Sequence, residues 1–294
     1  MNAPLAHWLV SWPLLAGYAA IAAAHLAGLR RETGPRRETG PRRETGPRRE
    51  TGPQNGPGKA ALLREAAAFH AGLLIVLLAL ISPVAYWSGE YIWVRAGQDL
   101  ALALVGPGLI VLGAPWAALR IPRVPGLLRW PVATVLAYNI CWLGWHLPVL
   151  FDLARSGGVA GIAEHVTYLG AGVLFWLQMI GSRPYRPSAP PLRRVGLLTA
   201  TVIAGTLLGM VLVFGSGALY PAYSVTTGHV MSLIDDQQLA GAVLWMGSLP
   251  PMIIAAVALF QQWLSEEESA ELSAGLDRLL RQRKSSWPSR PGLR

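Results

Sequence analysis

The chain has 294 residues, of which 52% are hydrophobic and 14% charged, far below the roughly 25% charge of an average soluble domain. A mean hydropathy of +0.38 and twelve tryptophans fit a polytopic membrane protein and exclude disordered, collagen-like and disulfide-stapled classes. The net charge of +9 would suit nucleic acid only if Lys and Arg shared one soluble face. They lie between the apolar segments instead, so the expected surroundings are a lipid bilayer and no nucleic acid.

A bilayer core about 30 Å thick takes roughly twenty helical residues, because each backbone N–H and C=O must be bonded within its own segment. Seven segments reach that length: His7–Leu29, Ala66–Trp87, Asp99–Leu119, Trp130–Leu150, Gly161–Gly181, Val195–Gly217 and Gln238–Leu264. The predicted fold is therefore all-α, a bundle of seven transmembrane helices. Residues 1–29 lack a charged n-region and a clear small-residue cleavage site, so they read as the first span and not as a signal peptide. Residues 30–65 form a loop carrying four RETGPR-type hexapeptides. Gly-Pro every six residues blocks regular structure and the alternating Arg and Glu stay solvated, so a disordered cytoplasmic loop is expected.

Residues 66–264 hold the other six spans, and residues 265–294 form a tail. Within the tail, Glu266–Lys284 reads as an amphipathic surface helix, with Glu266, Glu267, Glu268 and Glu271 early and Arg281, Arg283 and Lys284 late, as the helix dipole favours. Loops on one side hold twenty-three of the twenty-five Lys and Arg; the other side holds Arg95 and Arg155. The positive-inside rule then puts the N-terminus outside and the C-terminus in the cytoplasm.

The outer ends of spans four to seven gather His146, Asp152, Glu164, His165, His229, Asp235, Asp236, Gln237 and Gln238, with Arg155 as their one basic companion. Ionisable groups in a membrane are costly unless paired, wet or coordinating. Acids without matching bases attract cations, and imidazole is a common ligand of copper, zinc and iron. Asn139, Trp142 and His146 share one helix face, and Leu147-Pro148 loosens the helix just after them. Glu164 and His165 are adjacent and point about 100° apart, so a shared ion needs a donor from another helix, His146 being the candidate. Asp235 and Asp236 suit an N-cap of span seven, for at least one of them. Gly241, Trp245 and Ser248 form a stripe facing the bundle interior, with Gly241 permitting close approach. His25 and His70 lie towards the cytoplasmic side, His7 lies at the outer edge, and none of the three points to a shared site. Cys141 is the sole cysteine, so no thiolate cluster forms within one chain.

The strings NICWLGWHLPVLFDLA (139–154), AEHVTYLGAGVLFW (163–176), LYPAY (219–223) and DDQQLAGAVLW (235–245) resemble the multi-spanning CtaG family of cytochrome c oxidase assembly factors. The resemblance runs from Ile81-Ser82-Pro83 through Trp245, over half the chain. It implies a seven-span protein of the bacterial plasma membrane needed to make active haem–copper oxidase, with a part in delivering or inserting copper. The family's WH, EH and DQQ elements match Trp145-His146, Glu164-His165 and Asp236-Gln237-Gln238. Its His-x-x-x-His on the third span is replaced by Arg95 and Asp99. Either Asp99 serves as a ligand in a set with fewer imidazoles, or metal binding is lost and a scaffolding role remains, or Arg95 and Asp99 form a salt bridge.

The expected function is a non-enzymatic oxidase assembly factor, a copper chaperone whose metal-binding residues are His146, Glu164, His165, Asp236, Gln237, Gln238 and Asp99. Its partners are subunits of a haem–copper cytochrome c oxidase. No catalytic triad, phosphate-cradling loop or nucleotide motif is present to favour a soluble-type enzyme. The rival readings are a cation (copper) transporter, weakened by a midplane poor in polar groups, and a haem-binding membrane redox protein, which would want paired histidines on facing helices.

Overall fold

The computed structural model describes residues 8–33, 58–121, 126–225 and 231–285. His7, His229 and most of the hexapeptide repeats lie outside them. Helices are the only regular elements among the described residues, which contain no strand beyond an isolated Ser182–Tyr185 bridge. The helices are α1 (Trp12–Thr33), α2 (Lys59–Ile81), the short α3 (Pro83–Trp87), α4 (Ile92–Leu112), α5 (Pro131–Trp145), α6 (Pro148–Arg155), α7 (Gly158–Met179), α8 (Pro191–Phe214) and α9 (Leu233–Ser285). Six are long and apolar enough to cross a membrane, or seven when the bent pair α5–α6 counts as one span. The all-α polytopic bundle expected from the sequence is therefore what the chain forms.

Position within the bundle follows polarity. In α4, 72% of the apolar window is buried, against 11 to 33% in the other spans, so α4 is the central helix. It also carries Arg95, Gln98 and Asp99, side chains that could not face lipid at tolerable cost. Halfway along, Ala101–Val105 widen into a π turn in which the Gly106 amide bonds the Ala101 carbonyl. The next residue, Pro107, has no amide to offer the α-helical ladder, so the wider turn absorbs the mismatch. Elsewhere small residues bring backbones together: a Cβ on Gly241 would stand 2.7 Å from the Gly209 carbonyl oxygen, which makes α8–α9 a tight pair, as the Gly241 stripe predicts.

Three boundaries differ from the sequence reading. The third span starts at Ile92 and ends at Leu112, not Asp99 and Leu119, which puts Arg95 inside the helix, one turn from Asp99, instead of in a loop. The carboxylate of Asp236 accepts the amides of Ile92 at 2.9 Å and Trp93 at 3.0 Å, supplying the cap that local sequence lacks. The fourth span breaks after Trp145 with a bend of 72°. Pro148 holds Leu147 at φ −64°, ψ 134°, an extended conformation that ends a helix. The last helix begins at Leu233, and Ser232 caps it, exchanging side-chain and amide bonds with Asp235; neither aspartate is the N-cap. The same helix continues without interruption to Ser285.

Candidate functional site

The polar side chains of the bundle collect where α4 and α7 begin and α5 ends. Arg95 and Asp99 stand one turn apart on α4, Glu164 and Tyr168 one turn apart on α7, and His146 sits at the break between α5 and α6. Each of the five is at most 5% exposed. The loop of residues 217–225 closes over them with Tyr220 and Tyr223, both 1% exposed.

One half of the cluster is satisfied. The Arg95 guanidinium donates to Glu164 Oε1 at 2.6 Å and to the Tyr223 hydroxyl at 3.4 Å, and lies 4.1 Å over the Phe151 ring. A guanidinium matches a carboxylate well, and the aromatic face shields the charge from lipid. Tyr223 in turn donates to the Ser88 carbonyl, and Arg155 packs over its ring at 4.6 Å. The salt bridge on α4 therefore runs to Glu164 on another helix and not to Asp99.

The other half is not. His146 Nδ1 lies 2.8 Å from the Trp142 carbonyl oxygen. A carbonyl can only accept, so Nδ1 carries the hydrogen, with the Tyr168 hydroxyl nearby at 3.3 Å. Nε2 is left with its lone pair exposed. It lies 3.8 Å from Asp99 Oδ2. Among the described residues Nε2 and both Asp99 oxygens are buried with no hydrogen-bond partner. Two acceptors thus face one another in a buried setting, an arrangement that a proton or a cation between them relieves. Tyr220 steadies the imidazole from behind, donating to the His146 carbonyl at 2.9 Å.

The remaining expected ligands go elsewhere. Glu164 is held by Arg95. Asp236 caps α4, and Gln237 ties down the 217–225 loop through the Leu219 amide at 2.7 Å and the Gly217 carbonyl at 3.2 Å. Gln238 is half-buried and joins neither network. His165 lines a separate cavity of about 300 Å³ with Arg95, Gln98 and Glu164 on its wall. Among the described residues no group of three or more His, Cys, Asp and Glu could hold a metal ion. The structure does not bring all seven residues together; of them, Asp99 and His146 face one another at 3.8 Å. Sequence reasoning missed Tyr168, Tyr220 and Tyr223. The i+4 spacing of Tyr168 from Glu164 was the available signal for the first; the two loop tyrosines had none beyond the family string.

His25 and His70, which the sequence reading set apart, meet between α1 and α2, with Nδ1 and Nε2 at 3.3 Å. A donor there faces an acceptor, so the pair satisfies itself. The rings stand against Phe69, and His25 is 1% exposed.

The family described as cytochrome c oxidase caa3 assembly factor (Caa3_CtaG) matches residues 48–266. Among curated proteins, an uncharacterized protein of Mycobacterium bovis, Mb0105, is 28% identical over 244 residues, covering 71% of this chain and 37% of that protein. Another from Mycobacterium leprae, ML1998, is 26% identical over 226 residues, covering 68% and 34%. The chain thus spans little more than a third of these relatives. No solved structure matches it significantly.

Proposed function

The chain belongs to the cytochrome c oxidase caa3 assembly factor family, and from that premise we propose that it acts as a non-enzymatic copper carrier, holding one ion between His146 and Asp99 for insertion into a haem–copper oxidase. The observation behind this reading is the pair of unsatisfied acceptors 3.8 Å apart. Bonds from a metal of this class to imidazole and carboxylate are each about 2 Å, so the gap accommodates a cation. The bond from Nδ1 to a backbone carbonyl fixes the tautomer that leaves Nε2 free to ligate, a common outer-shell arrangement for metal-binding histidine. Imidazole suits copper. Two protein donors leave the ion under-coordinated, which favours release over storage. Copper is cargo here, and a subunit of a cytochrome c oxidase in the same membrane is its recipient.

In this reading the protein is multi-pass in the bacterial plasma membrane. The Lys and Arg distribution places the His146 end outside, with the N-terminus, and the tail in the cytoplasm. His165, one residue from the ion-paired Glu164, lines the neighbouring cavity together with Arg95 and Gln98, the latter next to Asp99 on α4. It serves as an approach group and not a permanent ligand.

The test is anaerobic Cu(I) loading of the purified protein followed by metal analysis. Wild type should hold about one copper per chain, His146→Ala and Asp99→Asn close to none, and His165→Ala the full amount with slower uptake. Unchanged copper in His146→Ala and Asp99→Asn would overturn the assignment. Failure of those two variants to restore oxidase activity in a deletion strain, where wild type restores it, separates delivery from scaffolding.

A further inference from the structure

Among the described residues, the leucines beyond the bundle end of α9 pack against no other helix. Bundle packing ends near Leu259, the final buried residue of the helix, and Arg194 still reaches Gln262 at 2.9 Å. Beyond that, about twenty residues project some 30 Å further at 1.5 Å each. Leu272, Leu276 and Leu279 recur there at four- and three-residue steps, 72%, 58% and 64% exposed, with Leu280 beside them at 49%. Three or more large leucines on one helical face, all in water, are the pattern of a helix that packs on another helix.

The charges select the partner. Glu267, Glu268 and Glu271 precede the leucines and are exposed. None has a Lys or Arg three or four residues away, and Glu267–Glu271 and Glu268–Glu271 repel at those spacings. At the membrane exit these acids are repelled by anionic lipid headgroups, while the bases Arg278 and Arg281 stand about two turns or more further along the helix. In a second copy emerging in the same direction, the like acids would stand side by side, which speaks against self-pairing. A transmembrane helix leaving the bilayer on the cytoplasmic side, by contrast, ordinarily carries Lys or Arg just past the membrane. Those cations would meet the three glutamates at the same depth.

We propose that residues 267–280 dock the juxtamembrane helix of a partner membrane protein, one with basic residues at its cytoplasmic exit followed by an apolar stripe. The proposal rests on the orientation given above and is independent of the copper pair. Its test uses the full chain in zwitterionic vesicles, labelled with a donor fluorophore at Ser285→Cys in a Cys141→Ser background. The probe is an acceptor-labelled synthetic peptide with about twenty apolar residues, then a lysine-rich turn, then a leucine repeat.

Saturable energy transfer is expected. Glu267→Lys, Glu268→Lys and Glu271→Lys together should weaken it at least about tenfold, and a peptide with glutamates in place of its lysines should recover it. Leu272→Ser with Leu276→Ser should weaken both combinations. Equal transfer to the wild-type and charge-reversed chains would sink the proposal, as would transfer between two copies of this chain matching that to the peptide. Copper stoichiometry measured on the same vesicles should not move with the tail variants, so the two readings fail separately.

Discussion

Two pairs of polar groups are buried between helices of this protein, and they differ in what they lack. At His25–His70 an N–H faces a lone pair at 3.3 Å, and nothing further is required. At His146–Asp99 a lone pair faces a carboxyl group at 3.8 Å, and among the described residues no hydrogen bond satisfies either side. His25, His146 and Asp99 are all buried, His70 is half-buried, and both pairs stand among aromatic rings, so residue type and the burial of one histidine do not distinguish a structural histidine from a ligand. The direction of the bond on the other ring nitrogen does. Where the backbone takes the Nδ1 hydrogen, Nε2 is committed to accepting.

The sharpest way to break this comparison is to convert the open pair into a closed one. Asp99→Asn gives the site a donor, so its amide can satisfy Nε2 as one histidine satisfies the other. Copper binding should fall to near zero while thermal stability of the metal-free protein in detergent rises by about 1–3 kcal/mol, the cost of an unpartnered buried acceptor. Loss of copper with loss of stability would show that Asp99 is structural. The mirror experiment, His70→Ala, should leave copper stoichiometry intact.

The next largest effect concerns the satisfied half of the cluster. Glu164→Leu leaves the Arg95 charge buried without its carboxylate and should cost about 3–5 kcal/mol, whereas Arg95→Leu with Glu164→Leu should recover most of it. Denaturation curves of the single and double variants decide this. Asp236→Ala, which strips the cap from α4, should cost about 0.5–2 kcal/mol and raise amide exchange at Ile92 and Trp93. The smallest effect is expected at His25→Phe, an apolar ring against Phe69. It removes both partners' need at once only when combined with His70→Phe, and the double variant should melt within about 1 kcal/mol of wild type.

What the sequence conveyed depended on range. The spans were legible because hydropathy is a local sum, and a loosening after His146 was legible because Pro148 acts on its immediate neighbour, although the full 72° break that ends α5 at Trp145 was not. The start of α4 was not, since its cap is Asp236, 144 residues away from Ile92. The candidate ligands were legible as residue types at one end of the bundle. Their division into an ion pair, two caps and an open pair was not. Glu164 could have turned to His146 or to Arg95, and only helix rotation decides between them. The contact between His25 and His70, both read towards the cytoplasmic side, was not legible for the same reason: which faces of two helices meet is not fixed by spacing. The cap at the start of α9 was expected from Asp235 or Asp236, but Ser232 supplies it with Asp235 answering from the first turn, and Asp236 caps α4 instead.

The uninterrupted α9 joins two distant parts of the molecule. One end holds the start of α4 through Asp236, one turn from Arg95 and two from Asp99, while the other presents the exposed leucines. Pro250 and Pro251 stand between them within the same helix and offer no amide to its hydrogen-bond ladder. The cap of the central helix and the far tail are therefore carried by one continuous rod.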